Sequence, residues 1–431
     1  MKQTQLQKIT IFTIVSITLL IGQVNLGPRS IGTAGTFATQ SRGDDVIGWN
    51  PANLGLTDNP EFSMSFGVIP LVPFPGINIT NSSLSINWLN DGLFSGKYLT
   101  DSDKADILKA FPSDGLSFDQ VIGLKFLGIS TNNFAFSISA EVNSNINLPK
   151  ELMDMLLFGI LFDTPISLND LDVSAQAVVP FSFAYGFESD VPFLSNIVQK
   201  NYFGLGFKVL WGIGHGEITK FEGDFTSHYN KVIGTGHGET KYAASGLGLA
   251  FDAGWTGIIN EKTKINIALN NLLGFINWSD KHAKKGVFTL DAEVIVQEEM
   301  EETFDELEEL QSDTVISIPG YRTAYPAYLM TGFQYDVNPE FSLFVNYRQH
   351  FSDHFNYNTT PRLSGALTYN PAGWMPLRLG ISVGGYEGFQ WGTGFGFHGS
   401  RYQFDFGVAQ DGGFFNSARG FAFSIGQKLI F

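Results

Sequence analysis

The chain is 431 residues long, with 16% charged residues, 48 glycines, 40 phenylalanines and a formal net charge of −16. Soluble proteins carry about 25% charged residues, so a string of soluble domains is disfavoured, and an acidic chain without a basic patch is a poor binder of nucleic acid. The absence of cysteine excludes disulfides, zinc–thiolate sites, thiol nucleophiles and a lipid-modified N-terminal cysteine.

Residues 1–25 read as a secretory signal peptide. Lys2 and Lys8 precede an apolar stretch at 9–21, thirteen residues long, which fits an h-region and is short for a spanning helix. Cleavage is expected between Gln23 and Leu26; the alternative is an uncleaved anchor. Beyond residue 26 no run of about 18 apolar residues offers a helical span. Residues 26–58 are Gly-rich and irregular, from Leu26-Gly27-Pro28-Arg29 through Gly32 and Gly35 to Asp44-Asp45 and Asn50-Pro51-Ala52-Asn53-Leu54. Backbone of this kind cannot face lipid; it must be surrounded by protein or line a lumen.

From residue 59 onward the pattern changes to strands. They are expected near 61–68, 82–90, 119–128, 133–142, 173–187, 201–213, 244–256, 263–272, 325–335, 341–348, 362–370, 377–384, 389–397, 401–409 and 421–431. The alternation is clearest late in the chain. Tyr402, Phe404, Phe406 and Val408 share one face and Arg401, Gln403, Asp405, Gly407 and Ala409 the other, as period-2 geometry requires. Long loops are expected near 90–118, 143–172, 214–243 and 273–324. Within them, 148–162 looks helical and apolar enough to cover a barrel mouth or lie at the lipid interface. Residues 298–309 hold eight acids with Met300, Phe304, Leu307 and Leu310 at helical spacing, a solvated amphipathic helix.

The count is fifteen, and single-chain bacterial barrels have even numbers of strands. The fold class is therefore all-β, a transmembrane antiparallel β-barrel of about 14 strands (14–16), with any missed strand expected between 286 and 318. Short turns at 336–339, 370–373 and 398–400 alternate with longer polar loops at 349–361 and 410–418, as short periplasmic turns alternate with longer outer loops. The chain ends on an amphipathic strand closing at Phe431. This ending resembles the C-terminal signal of bacterial outer-membrane proteins.

The segment from Gly32 to Ala38, the pair Asp44-Asp45 and the run Asn50-Pro51-Ala52-Asn53-Leu54 together resemble the N-terminal hatch of the long-chain fatty-acid transporter family (FadL/TodX type), whose relatives include PorV-like barrels. Residues 265–274 resemble a strand motif of the same group. The resemblance implies a barrel of about fourteen strands plugged by residues 26–58, with Asp44, Asp45, Asn50, Pro51, Ala52 and Leu54 as the hatch motif. Inward positions then include Lys125, Glu141, Lys208, Asp252, Arg348, Arg378, Arg401, Asp405 and Lys428. Buried charges need partners, and Arg401 and Asp405 are expected to pair, with Arg29, Asp44 and Asp45 as candidates on the hatch. Inward glycines, among them Gly204, Gly380, Gly392 and Gly394, allow strands to bend, leave volume for the hatch or an elongated ligand, or do both.

No catalytic motif is present, and neither an enzyme activity nor a cofactor is expected. His215 with Glu217 and His237 with Glu239 repeat a Gly-His-Gly-Glu motif; they are weak metal candidates, and the expectation is no metal. The expected function is binding or passive uptake of small hydrophobic, fatty-acid-like molecules across the bacterial outer membrane, gated by the hatch. The expected partners are outer-membrane lipid and such a ligand. The alternative is a protein-binding barrel acting in secretion or surface assembly, with a secretion or surface protein as partner.

Overall fold

A computed structural model describes residues 26–431 except 67–74, 89, 91–97, 114, 160–162, 168, 170, 195, 230, 296–310, 354 and 356. The expected signal peptide and the acidic run at 298–309 lie outside the described residues. Four helices are used below: α1 (Pro28–Gly32), α2 (Ile86–Trp88), α3 (Asp101–Ala110) and α4 (Lys150–Phe158).

Nineteen strand segments join in one sheet. In chain order they are β1 (Phe62–Phe66), β2 (Pro75–Asn81), β3 (Leu116–Thr131), β4 (Phe134–Leu148), β5 (Ile166–Ser167), β6 (Asp172–Glu188), β7 (Lys200–Ser227), β8 (Lys231–Asn260), β9 (Thr263–Trp278) and β10 (Lys284–Ile295). They continue as β11 (Gln311–Ser317), β12 (Arg322–Ala324), β13 (Tyr328–Asn338), β14 (Phe341–His350), β15 (Arg362–Tyr369), β16 (Leu377–Gly384), β17 (Gln390–His398), β18 (Tyr402–Asp411) and β19 (Gly420–Ile430). β19 pairs antiparallel with both β1 and β2, which closes the wall into a barrel, and a closed wall has no edge. β1 and β2 lie between the same neighbours, β19 and β3, and share one stave. β12 and β13 share another along β9. β5, β10 and β11 flank the far half of the β7–β8 hairpin, so the nineteen segments make fourteen staves.

The count of fifteen fails at 82–90. Asn81 turns its side-chain oxygen onto the backbone N–H groups of Ser83 and Leu84, at 3.0 and 2.5 Å, an Asx turn that ends the strand. The chain then enters α2. Strands do lie between 286 and 318, as β10 and β11, but outside the wall.

The alternation read from the sequence is the wall's inside–outside pattern. On β16, Leu377, Leu379, Ile381 and Val383 are exposed, and Arg378, Gly380 and Ser382 are buried. Aromatic rings gather at both rims. Trp374 stacks on Phe397, and Phe62 meets Phe431, at the end that holds the C-terminus. Phe389, Trp391, Phe414 and Phe415 cluster at the opposite, loop end. Paired girdles flanking an apolar band are the surface a bilayer requires.

β7 and β8 are 28 and 30 residues long. At about 3.3 Å per residue such a hairpin extends well past the ~25 Å apolar band of a membrane barrel. Its far half carries cross-strand ion pairs Glu217–Lys241, Glu239–Lys285 and Lys231–Glu293, each 2.7 Å, as befits a sheet in water. The stretch 214–243, expected as a loop, is therefore strand. Both of its faces are wet, so it lacks the one-sided greasy pattern that marks the wall. Of the other expected loops, 273–324 holds β10, β11 and β12. The segments 90–118 and 143–172 hold α3 and α4, which pack at the loop end over Leu84, Ile107, Phe111 and Leu116.

Candidate functional site in the barrel lumen

Residues of the 26–58 segment pack against inward-facing residues of the wall. α1 opens with Pro28, whose fixed φ suits a first helical position, and lies against the inner faces of β16–β19. The wall meets it with glycines. A Cβ on Gly32 would come 3.1 Å from Gly394 Cα, and a Cβ on Gly380 or Gly392 would strike the carbonyls of Thr33 or Ile31. Gly204 receives the Pro51–Ala52 peptide in the same way. At these four positions the absence of a side chain makes room for the segment.

Asn50 caps the 3-10 turn Pro51–Gly55. Its Oδ1 accepts from Ala52 N–H at 3.0 Å, and its Nδ2 donates to Trp255 O at 3.1 Å and Thr256 Oγ1 at 3.0 Å. Thr256 Oγ1 in turn donates to Asn53 Oδ1 at 2.7 Å, and Asn53 Nδ2 donates to Ala38 O at 2.8 Å. Pro51, Ala52 and Leu54 are buried, and Leu54 packs with Val46, Ile47, Ala135 and Ala184. On this side, β6 to β8, no ion pair among the described residues holds the segment.

The β19–β1–β3 side is different. Lys125 Nζ lies 2.9 Å from Asp44 and 2.8 Å from Asp45; Lys428 Nζ lies 3.2 Å from Asp44 and 2.5 Å from Asp45. Ser65 Oγ donates to Asp44 at 2.9 Å. Burial works against both carboxylates, but the two ammonium groups, Lys125 foremost, outweigh it and hold both pKa values below the usual carboxylate range. Next to this cluster Arg29 Nε meets Asp405 at 2.6 Å, and Asp405 also takes Arg378 Nη1 at 2.8 Å and His398 Nε2 at 3.0 Å. Burial opposes the Arg29 charge, and Asp405 overrides it.

The structure thus brings Asp405 together with Arg29 and Arg378, and Asp44 and Asp45 with Lys125 and Lys428. Arg401 does not join them. It stands in the turn before β18, exposed, with its guanidinium 5.7 Å from the ring centre of Phe431. Its parity matches the inward face, but the strand ends at Tyr402. Arg348 is inward and 3.6 Å from Glu387. The two Gly-His-Gly-Glu motifs do not meet: His215 lies across from Ala243 and His237 from Glu222. Among the described residues no group of three or more His, Asp or Glu is arranged to hold a metal. Arg362, Glu387 and Tyr386 were missed by sequence reasoning; the inward placement of Arg362 follows from extending the β15 alternation, whereas Gly384-Gly385-Tyr386-Glu387-Gly388 carries no periodic signal.

A closed fourteen-stave barrel with outward apolar residues and aromatic rims is a barrel of the outer-membrane type. The chain belongs to a family of unknown function, DUF5723, which matches residues 59–408. No curated protein matches significantly. Among solved structures it is similar to the CymD monoaromatic hydrocarbon channel at 13% identity and a TM-score of 0.52, covering 96% of this chain and 99% of that one. It is also similar to two variants of the TodX monoaromatic hydrocarbon channel, TodX being the toluene transporter of Pseudomonas putida. For the ΔS2S3 variant the identity is 11%, the TM-score 0.52 and the coverage 95% and 98%; for the ΔS2 variant the values are 10%, 0.51, 94% and 98%. The fold is that of the FadL/TodX-type barrels.

Proposed function

We propose that this protein is an outer-membrane barrel for the binding and passive uptake of small, largely hydrophobic molecules, and that residues 26–58 are its gate. One observation carries the reading. Where Val46, Ile47 and Leu54 of the segment press on the wall, the wall residues are small, Ala135 and Ala184. The outer face of the same patch is a cleft of about 700 Å³ edged by Phe134, Phe136, Phe183, Phe207 and Phe251. Apolar surface therefore lies on both sides of a thin stretch of wall. Movement of the segment there would expose a continuous apolar path, driven by a concentration gradient alone. The solved barrels of this fold that are named as hydrocarbon channels support the same class of cargo.

The gate is tested by locking it. Thr39 Cγ2 lies 3.0 Å from where a Cβ would sit on Gly332, and the chain has no native cysteine. Thr39→Cys with Gly332→Cys should form a single disulfide between segment and wall. Toluene flux into liposomes is expected to fall at least tenfold when it is oxidised and to return on reduction. Equal flux in both states would overturn the gate.

A second reading, a docking barrel for a surface or secretion protein, is favoured by the water-exposed sheet of β7, β8, β10 and β11. It predicts a partner protein that stays bound through gentle extraction and is lost when the far half of that hairpin is shortened.

A further inference from the structure

The water-exposed sheet at the loop end has two edges, and they are finished differently. The strands run in the order β5, β7, β8, β10, β11. On the β7 side the edge is covered. β5 pairs with Asp224 and Phe225, Asn169 Oδ1 accepts from Gly223 N–H at 3.0 Å, and Asp163 N–H donates to Ser227 O at 2.8 Å. On the other side β11 pairs with β10, and among the described residues no strand lies along its outer side.

An unpaired strand edge is a template for another strand, and proteins blunt such edges with Lys, Pro, bulges or a covering segment. β11 carries neither Lys nor Pro, and its one charged residue from Gln311 to Ser317 is Asp313. Its register with β10 runs without a shift, so no bulge turns the edge away. Thr314 to Ser317 are exposed, Val315 by 43% and Ile316 by 48%, and Thr, Val and Ile are strand-forming residues.

The pairing also fixes which backbone groups the edge offers. Ile318 N–H donates to the carbonyl of Ala283, the residue opposite, at 3.1 Å. Bonded positions in an antiparallel pair recur at every second residue, so Ser312, Thr314 and Ile316 turn their N–H and C=O groups toward β10. Asp313, Val315 and Ser317 turn theirs outward, where no backbone group among the described residues accepts from them.

We propose that the outer edge of β11 docks an extended segment of a partner protein, which joins the sheet as one more antiparallel strand. Main-chain hydrogen bonds at Asp313, Val315 and Ser317 supply the affinity in such an addition, and alternate side chains supply the selectivity. Like charges at opposed positions destabilise a strand pair, and β-branched or aromatic neighbours stabilise it. The segment therefore has a neutral or basic residue opposite Asp313 and β-branched or aromatic residues opposite Val315 and Ile316. The inference rests on the docking reading above, to which it gives the docking element and the form of the partner. It is independent of the uptake reading.

The test uses the full-length protein in detergent micelles and residue-resolved hydrogen exchange as readout. The probe is a peptide with the sequence of residues 284–290, Lys-Lys-Gly-Val-Phe-Thr-Leu, the strand that β11 already accepts on its inner side. With millimolar peptide the amides of 313, 315 and 317 are expected to exchange about tenfold more slowly, and those of 312, 314 and 316 to keep their rates. No slowing, or equal slowing at all six, overturns the edge, and neither result needs a variant to fold. Val315→Pro removes one outward N–H and leaves the bonds to β10 in place, as Pro is tolerated where an edge N–H faces solvent. It is expected to abolish the effect of the peptide; protection that survives it overturns the edge. Thr314→Pro removes an inward N–H and is expected to open the β10–β11 pairing instead. Gentle extraction separates this from the docking reading. A partner protein that is lost when the hairpin is shortened but kept by Val315→Pro removes the edge and leaves the docking reading. Alternate protection by the peptide with no partner in the extract removes the docking reading and leaves the edge as a strand-binding site.

Discussion

The two sides of the lumen hold the same N-terminal segment by opposite means. Along β19, β1 and β3 the contacts are ionic: two carboxylates of the segment, Asp44 and Asp45, between two wall ammoniums, Lys125 and Lys428. Along β6 to β8 they are neutral: Asn50 and Asn53 share one hydroxyl, Thr256, over a bed of glycines. Breaking a buried ion pair by removing one partner is far more costly than forming it is favourable, because a lone buried charge remains. The ionic side is therefore an all-or-none clamp that responds to pH. The neutral side is a shaped seat that responds to fit.

The largest effect is expected from breaking the clamp. Lys125→Met leaves the fully buried Asp44 with Lys428 as its only ammonium among the described residues. Removing one partner of a buried pair costs about 3 kcal/mol or more, and that cost falls on the seated state of the segment. Hydrogen exchange of residues 43–55 should accelerate by roughly two orders of magnitude, while exchange of β16–β19 stays slow. Equal protection of the segment in variant and wild type would mean that the clamp is ornamental.

Acid should reproduce part of this without a mutation. Asp44 and Asp45 both titrate below the usual carboxylate range in the folded protein. Their stabilisation of the seated segment is fully present above about pH 4 and is lost progressively as pH falls below that. Conductance through the barrel in a planar bilayer should be low and flat from pH 8 to about pH 5, then rise reversibly in stronger acid. A rise centred at neutral pH would point to other groups.

The parts of this arrangement that were legible in the sequence are those with a period. The wall from β14 to β19 alternates residue by residue, so its staves, its faces and the inward placement of Lys428, Arg378 and Asp405 follow from parity. Irregular, glycine-rich backbone at 26–58 can be placed inside the barrel for the converse reason, that it has no lipid-compatible face. Pairings are another matter. Asp45 reaches Lys125 across 80 positions and Lys428 across 383, and nothing local to either residue records its partner. Parity also misleads at strand ends, as Arg401 shows. It goes silent where both faces are wet, as in the far half of β7–β8, and in glycine turns, where Glu387 sits.

The smallest effect, and the sharpest contrast with the clamp, is expected at Thr256. Thr256→Val keeps the side chain's shape and removes the hydroxyl that accepts from Asn50 Nδ2 and donates to Asn53 Oδ1. Asn50 Nδ2 retains the Trp255 carbonyl, so only the Asn53 oxygen loses its partner, at a cost of about 1–2 kcal/mol. Exchange of residues 50–55 should rise about tenfold. Because no charge is involved, the increment should be the same at pH 7 and pH 4, and the same in 50 mM and 500 mM salt. If the increment shrinks in acid, the seat and the clamp are coupled, and the segment leaves the wall as a single unit. If it does not, the β6–β8 side is held independently, and residues 50–54 stay seated while the clamp lets go.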